Sequence, residues 1–308
     1  MNLFLVFLLI TSVTAFNMTF REYLDIFPNS VINKLSEKYF LENVRYITES
    51  NSMNTGYELG LTPFLHLSEE EWKSRFTTFT LDKQEGEEFT PLNLRGLPPS
   101  NWSWVEQGMT TPVKDQGPVG VCWAESTTES METTWAIKSG ELKVLSVQQL
   151  VDCSKLNHGV DGGLQSRAYI YLEKTQQCLE SDYPFISDKT GVDGECHSCN
   201  GAVSLLKTYV NVKSETDMGQ AILITSLAVA IQADQREFQM YKSGVLDFNC
   251  GTNLNHAVNV EFYGMENGIP FWGVRNSWGK SWGDKGYVKM ARGKNLCGIG
   301  DSVVYPVF

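Results

Sequence analysis

Among the seven cysteines of this 308-residue chain, Cys122 is the one placed to act as a nucleophile. Gly117 and Gly120 precede it in a loop, and a helix-like run over 122–138 follows, closed by Gly140. The free N–H groups and positive dipole at a helix N-terminus lower a thiol's pKa, and the thiolate is the reactive form. Such a nucleophile needs a base, usually histidine. Of the four histidines, His66 lies early in the chain, while His158 and His197 sit in Cys- and Gly-rich loops. His256 opens the strand-like run Asn255-His256-Ala257-Val258, where a sheet can hold it. A third group should orient the imidazole, and Asn276 is the natural candidate on a neighbouring strand end. Plainer readings exist for each: half of a disulfide for Cys122, a structural role for His256, a turn for Asn276.

The elements that must position these residues fall into two halves. Short helices are predicted at 146–153 and 164–173, followed by strands at 227–233, 257–263, 271–275 and 286–290. Helices first and strands second predict an α+β enzyme with two subdomains. Upstream, 33–50 reads as an amphipathic helix with Leu35, Tyr39, Val44 and Ile47 inward. Ser68 and Glu71 form a capping box for a second helix, and 79–99 reads as an acidic linker open to proteolysis. An apolar run from Leu3 to Ile10, then Val13 and Ala15 at small-residue positions, predicts a signal peptide cleaved after Ala15. Cysteines on the secretory route predict disulfides, and an odd number leaves one thiol over. A net charge of −11 argues against nucleic acid and anionic membranes as partners. No later apolar stretch is long enough to span a bilayer, so a soluble mature protein is expected. Asn17 and Asn101 lie in glycosylation sequons.

The segment Gln116-Gly117-Pro118-Val119-Gly120-Val121-Cys122-Trp123-Ala124 resembles the active-site segment of papain and cathepsin L, cysteine proteases whose His and Asn lie far downstream. Asn276-Ser277-Trp278-Gly279, Trp282-Gly283, Gly286-Tyr287 and Cys297-Gly298-Ile299 continue the likeness, which covers 97–308. The resemblance implies a two-subdomain fold, with a helical left half, a β-barrel-like right half and the active-site cleft between, preceded by a helical propeptide. It divides the chain into a signal peptide at 1–15, an inhibitory propeptide at 16–96 and a peptidase domain at 97–308. It implies that Cys122 and His256 form the catalytic pair, that Asn276 orients His256, and that Trp278 shields their bond. Gln116 and the Cys122 N–H would hold the oxyanion. It implies no cofactor and no metal.

The same resemblance implies that Gly162 and Gly163 bind an extended peptide. It also implies that Leu164, Ala230, Leu254, Ala257 and Ser302 line the pocket for the second residue before the scissile bond. These side chains are small or apolar, so Leu, Val or Phe is expected there and a basic residue disfavoured. Cys250 is expected to pair with Cys297, Cys153 with Cys196 in preference to Cys199, and Cys178 with the one left. Phe40, Asn43, Ile47, Asn51, Gly60 and Phe64 match propeptide positions of the cathepsin L group. Ile32, Ser36, Thr62 and His66 depart from them. Partners implied are peptide and protein substrates, the chain's own propeptide and cystatin-type inhibitors, with a monomeric enzyme in an acidic vesicle or secreted.

Several residues depart from the resemblance. Val119 and Val160 stand where the family has a disulfide, which implies an apolar contact in its place. Glu125 stands where an inward phenylalanine is usual; it must be exposed, paired, or raised in pKa. Val147 and Gln149 replace acidic residues, which leaves Lys114 without the partner they would supply. These changes keep open a second reading, an inactive homologue that binds peptides. Another Cys–His–Asn enzyme, such as an acyl transferase, is a remoter third.

Overall fold

The computed structural model describes residues 18–76, 86–91 and 98–308. The expected cleavage after Ala15, the Asn17 sequon, the junction at Leu97 and most of the acidic linker lie outside the described residues. Helix α1 (Phe20–Ile26) opens on a capping box between Thr19 and Glu22, which the sequence reading did not identify. Helix α2 (Ser36–Ser52) turns Phe40, Asn43, Ile47 and Ser50 inward. Of the expected inner residues only Ile47 is fully buried; Leu35 is exposed because the helix starts after it. Strand β1 (Tyr57–Leu59) follows, then α3 (Glu69–Phe76), where Ser68 and Glu71 cap each other reciprocally at 3.1 Å. Within the expected linker, β2 (Glu87–Glu88) is a short strand, and β3 (Trp102–Ser103) begins the larger body.

The first helix of that body is α4 (Cys122–Ser139), closed by Gly140 in the left-handed region at φ 76°. Ser146 caps α5 (Val147–Cys153), and α6 (Gln165–Leu172) and α7 (Ser187–Thr190) complete a helical half. Val121, Trp123, Leu150, Tyr169 and Leu172 pack into its own apolar core.

The remaining elements are β4 (Thr208–Val212), α8 (Glu215–Ala221), β5 (Leu227–Ile231), α9 (Arg236–Met240) and β6 (Tyr241–Leu246). They continue through β7 (His256–Glu266), β8 (Ile269–Arg275), β9 (Tyr287–Ala291) and β10 (Val303–Val307). The sheet runs β1-β6-β9-β8-β7-β5-β10-β4-β2, with β3 beside β7. Strand β5, Leu-Ala-Val-Ala-Ile, is buried throughout, as a strand covered on both faces should be. Asn267 and Gly268, both at positive φ, make the two-residue turn between β7 and β8 that antiparallel strands favour. The fold is α+β, as expected. Disulfides join Cys153 to Cys196, Cys178 to Cys199 and Cys250 to Cys297, the pairs the resemblance implies, and leave Cys122 free.

Candidate active site

Cys122 is the first residue of α4, and Val121 before it offers no side-chain acceptor to the first turn. The helix's leading N–H groups therefore have no capping side chain there to compete for them. The loop ahead is fixed at both ends. Gln116 N–H donates to Ser277 carbonyl at 2.8 Å, and Gly120 N–H donates to Val160 carbonyl at 2.7 Å. Gly117 sits at φ 62° with its missing Cβ 2.9 Å from Asp188, so a larger residue would be both strained and crowded. The Gln116 amide is oriented from both sides: its Nε2 donates to Val119 carbonyl at 2.8 Å, and its Oε1 accepts from the Ser277 hydroxyl at 2.7 Å. An amide NH2 has two N–H groups, and the Val119 bond uses one of them.

His256 starts β7 and is paired in register with Ile231 of β5. Asn276 follows β8, its N–H held by Gly286 carbonyl at 3.0 Å. Asn276 Oδ1 accepts the Ser277 N–H at 2.8 Å, which identifies that atom as oxygen. The same oxygen lies 2.8 Å from His256 Nε2, so Nε2 must carry the proton in the neutral ring. Nδ1 is left with a lone pair and no hydrogen-bond partner among the described residues. Trp278 stacks on the imidazole, centroids 4.6 Å apart at 20°.

Cys122 shares a separate apolar cluster with Leu164, Ala230, Leu254 and Ala257, so four expected pocket residues meet the expected nucleophile. Ser302 is buried beside them, its carbonyl accepting Ala230 N–H at 3.0 Å. Gly163 is packed so closely that a Cβ would lie 2.8 Å from the Trp123 ring. Leu164 N–H is anchored on Asn157 Oδ1 at 2.8 Å.

Both members of the pair are buried, and burial dominates their titration. It pushes the Cys122 thiol up to about 11, against hydrogen bonds from the Ala257, Trp123 and Cys122 backbone. It pushes His256 down to about 4, against the Asn276 bond. Burial thus favours the neutral form of each group.

The N-terminal segment lies against the body near this site. Strand β1 adds antiparallel to β6, Gly60 N–H donates to Met240 carbonyl at 2.8 Å, and the Thr62 hydroxyl donates to Gln239 carbonyl at 2.9 Å. Gln239 Nε2 returns a bond to Phe64 carbonyl at 2.8 Å, and Arg236 donates to Asn43 Oδ1 at 2.7 Å. Phe64, Trp72 and Phe76 surround the outer face of Trp278.

Val119 belongs to the apolar cluster of the helical half, and partly buried Val160 packs against the same cluster. Lys114 is not without a partner: Glu132 of α4 meets it at 2.9 Å, a correction that follows from the helix presenting a carboxylate of its own. Glu125 is buried with Oε2 unpartnered, and burial pushes its carboxyl up to about 8. Sequence reasoning missed Glu129, Glu261 and Arg275, buried around the same point; the spacing of 125, 129 and 132 on one helix face was the available signal.

A profile described as Papain family cysteine protease matches residues 98–307. Cysteine proteinase COT44 of Brassica napus is 37% identical over 301 residues, covering 91% of this chain and 90% of that one. Cysteine proteinase RD21A of Arabidopsis thaliana is 38% identical over 294 residues, but this chain spans only 63% of its length. A solved structure, recombinant stem bromelain precursor, superposes with a TM-score of 0.85 at 31% identity, covering 94% of this chain and 97% of that one.

Proposed function

The chain belongs to the papain family of cysteine proteases, and from that premise we propose that it is an endopeptidase acting through a Cys122 thiolate and a His256 imidazolium. The observation that carries the reading is the bond from His256 Nε2 to an oxygen of Asn276, which leaves Nδ1 as the free base in a site whose apolar wall includes Cys122. Nδ1 takes the thiol proton, and Sγ bonds to the peptide carbonyl carbon. The oxyanion is held by the Cys122 N–H and the spare Gln116 N–H. The C–N bond then breaks as Nδ1–H protonates the leaving amine. Water, deprotonated by His256, hydrolyses the thioester and regenerates the thiol.

The apolar set Leu164, Ala230, Leu254 and Ala257 supports a preference for Leu, Val or Phe at the second residue before the cut. Residues 16–96 act as the inhibitory propeptide, with maturation near Leu97, in an acidic vesicle or after secretion. The mature enzyme works as a monomer, cleaves peptides and proteins, and is open to cystatin-type inhibitors.

Intact mass after acid maturation and exposure to an epoxysuccinyl thiol inhibitor tests this reading on wild type and Cys122→Ala. One adduct on wild type only, with loss of the N-terminal segment, is expected. A folded, matured wild type that takes no adduct supports the inactive homologue instead.

A further inference from the structure

Beneath the nucleophile, the two halves of the molecule meet at a buried ionic chamber that the reaction itself does not use. Helix α4 sends in Glu125, Glu129 and Glu132, about one, two and three turns beyond Cys122. Strand β7 sends Glu261 and β8 sends Arg275, the residue directly before Asn276. Arg275 is fully buried and reaches both halves. Its Nε lies 2.9 Å from Glu129 Oε1, out of line for a hydrogen bond; burial pushes the Glu129 carboxyl well above its usual range, and the Arg275 charge beside it pulls the other way. Its Nη1 donates to Glu261 Oε1 at 3.1 Å and its Nη2 to Pro112 carbonyl at 2.6 Å.

The charges do not balance. Lys114, from the segment before the nucleophile, meets Glu132 at 2.9 Å, and Glu132 also accepts the Leu145 N–H and the Thr111 hydroxyl. Tyr287 of β9 donates to Glu261 Oε2 at 3.0 Å. Half-buried Glu180, on the loop after Cys178, adds a further carboxylate to the field at Glu125. Among the described residues two cations thus face four fully buried carboxyls, and one oxygen of Glu125 has no hydrogen-bond partner. A buried carboxylate without a counter-charge is costly, so the chamber is at ease only while it holds surplus protons.

We propose that Glu129 and Glu261 are positioning residues that act through Arg275 to hold Asn276, and so His256, in register with Cys122, and that protonated Glu125 keeps this clamp closed. Ionisation of Glu125 makes it the third carboxylate on α4 and brings four carboxylates against two cations, loosening the clamp and opposing the thiolate one turn away. Activity is thereby confined to acidic and neutral pH by a group outside the catalytic set. The inference rests on the endopeptidase reading.

The test uses the acid-matured product of full-length wild type, Glu125→Gln and Glu129→Gln precursors, each active-site titrated with the epoxysuccinyl inhibitor. Peptide hydrolysis and thermal midpoint are recorded across acid to alkaline pH. Glu125→Gln should match wild type in acid and extend the alkaline limb of kcat by about one pH unit or more. Glu129→Gln should lower kcat with KM little changed. Superimposable wild-type and Glu125→Gln profiles overturn the proposal, whether or not Glu129→Gln folds. A wild type that binds no inhibitor overturns the functional reading instead, so the two failures are distinct.

Discussion

Trp72 of the N-terminal segment meets Trp278 edge-on, centroids 4.6 Å apart at 76°, and the same Trp278 stacks on His256. One indole thus serves both states of the protein. It stacks on the His256 ring, and it gives the covering segment an aromatic surface on which Phe64, Trp72 and Phe76 pack. Buried aromatic anchors of this kind carry a large share of binding energy.

Truncating that anchor should release the segment. Trp72→Ala is expected to weaken docking by about 2–4 kcal/mol, on the order of a hundredfold in the uncovered population. The check is the rate at which the unprocessed precursor takes up an epoxysuccinyl inhibitor at neutral pH. A rate within twofold of wild type would show that Trp72 does not anchor the segment.

Acid should loosen the same segment through His66. Its ring is buried and bonded by Nδ1 to the Tyr23 hydroxyl at 2.9 Å. Burial, with Arg75 nearby, holds its pKa below the ordinary 6.5, against the pull of Glu71. An undocked chain takes up the proton first as pH falls, so docking is fully stable above 6.5 and weakens as pH drops through and below that value. His66→Asn keeps a polar group for Tyr23 but cannot titrate. It should need a lower pH for half-maximal maturation, measured by gel at fixed added mature enzyme; an unchanged midpoint would remove His66 from the trigger.

Much of this site was legible because its chemistry is local. Glycines before Cys122, the helix after it and the strand start at His256 all leave marks in the linear pattern, and α4 closes at Gly140 as expected. The chamber was not legible in the same way. A glutamate facing solvent and one facing a buried arginine look alike in sequence, and Glu261 and Arg275 meet only because β7 and β8 pair around the Asn267-Gly268 turn. The inner face of α2 was misjudged for a related reason. Asn43 is inward because its amide donates to Leu65 and Leu67 carbonyls at 2.9 and 3.1 Å, a role that hydrophobic periodicity ignores. The covering of Trp278 by α3 likewise depends on docking between distant segments.

Charge at the pocket should reverse specificity. Ser302 lies beside Ala230, and the adjacent acid, Asp301, is exposed and accepts a bond from Asn295 Nδ2 at 2.8 Å. Ser302→Glu should therefore admit arginine at the second position before the cut, with a gain in kcat/KM for Arg over Leu peptides of about tenfold or more. Paired fluorogenic peptides measure it. An unaltered preference would place Ser302 outside the pocket.

Restoring a bridge where the valines stand should stiffen the nucleophile's loop. Gly120 N–H already donates to Val160 carbonyl at 2.7 Å, so the two chain segments run side by side, and Val160 packs against the apolar cluster that holds Val119. The double variant Val119→Cys/Val160→Cys places two thiols on these adjoining segments, and the bridge would constrain the unfolded chain over the intervening residues. The expected gain is about 2–4 kcal/mol, several degrees in thermal midpoint for a domain of this size. The gain should vanish in reductant, because the apolar contact is exchanged for two smaller thiols. An oxidised variant that melts no higher than wild type would mean that the valine contact already supplies the rigidity of the bridge.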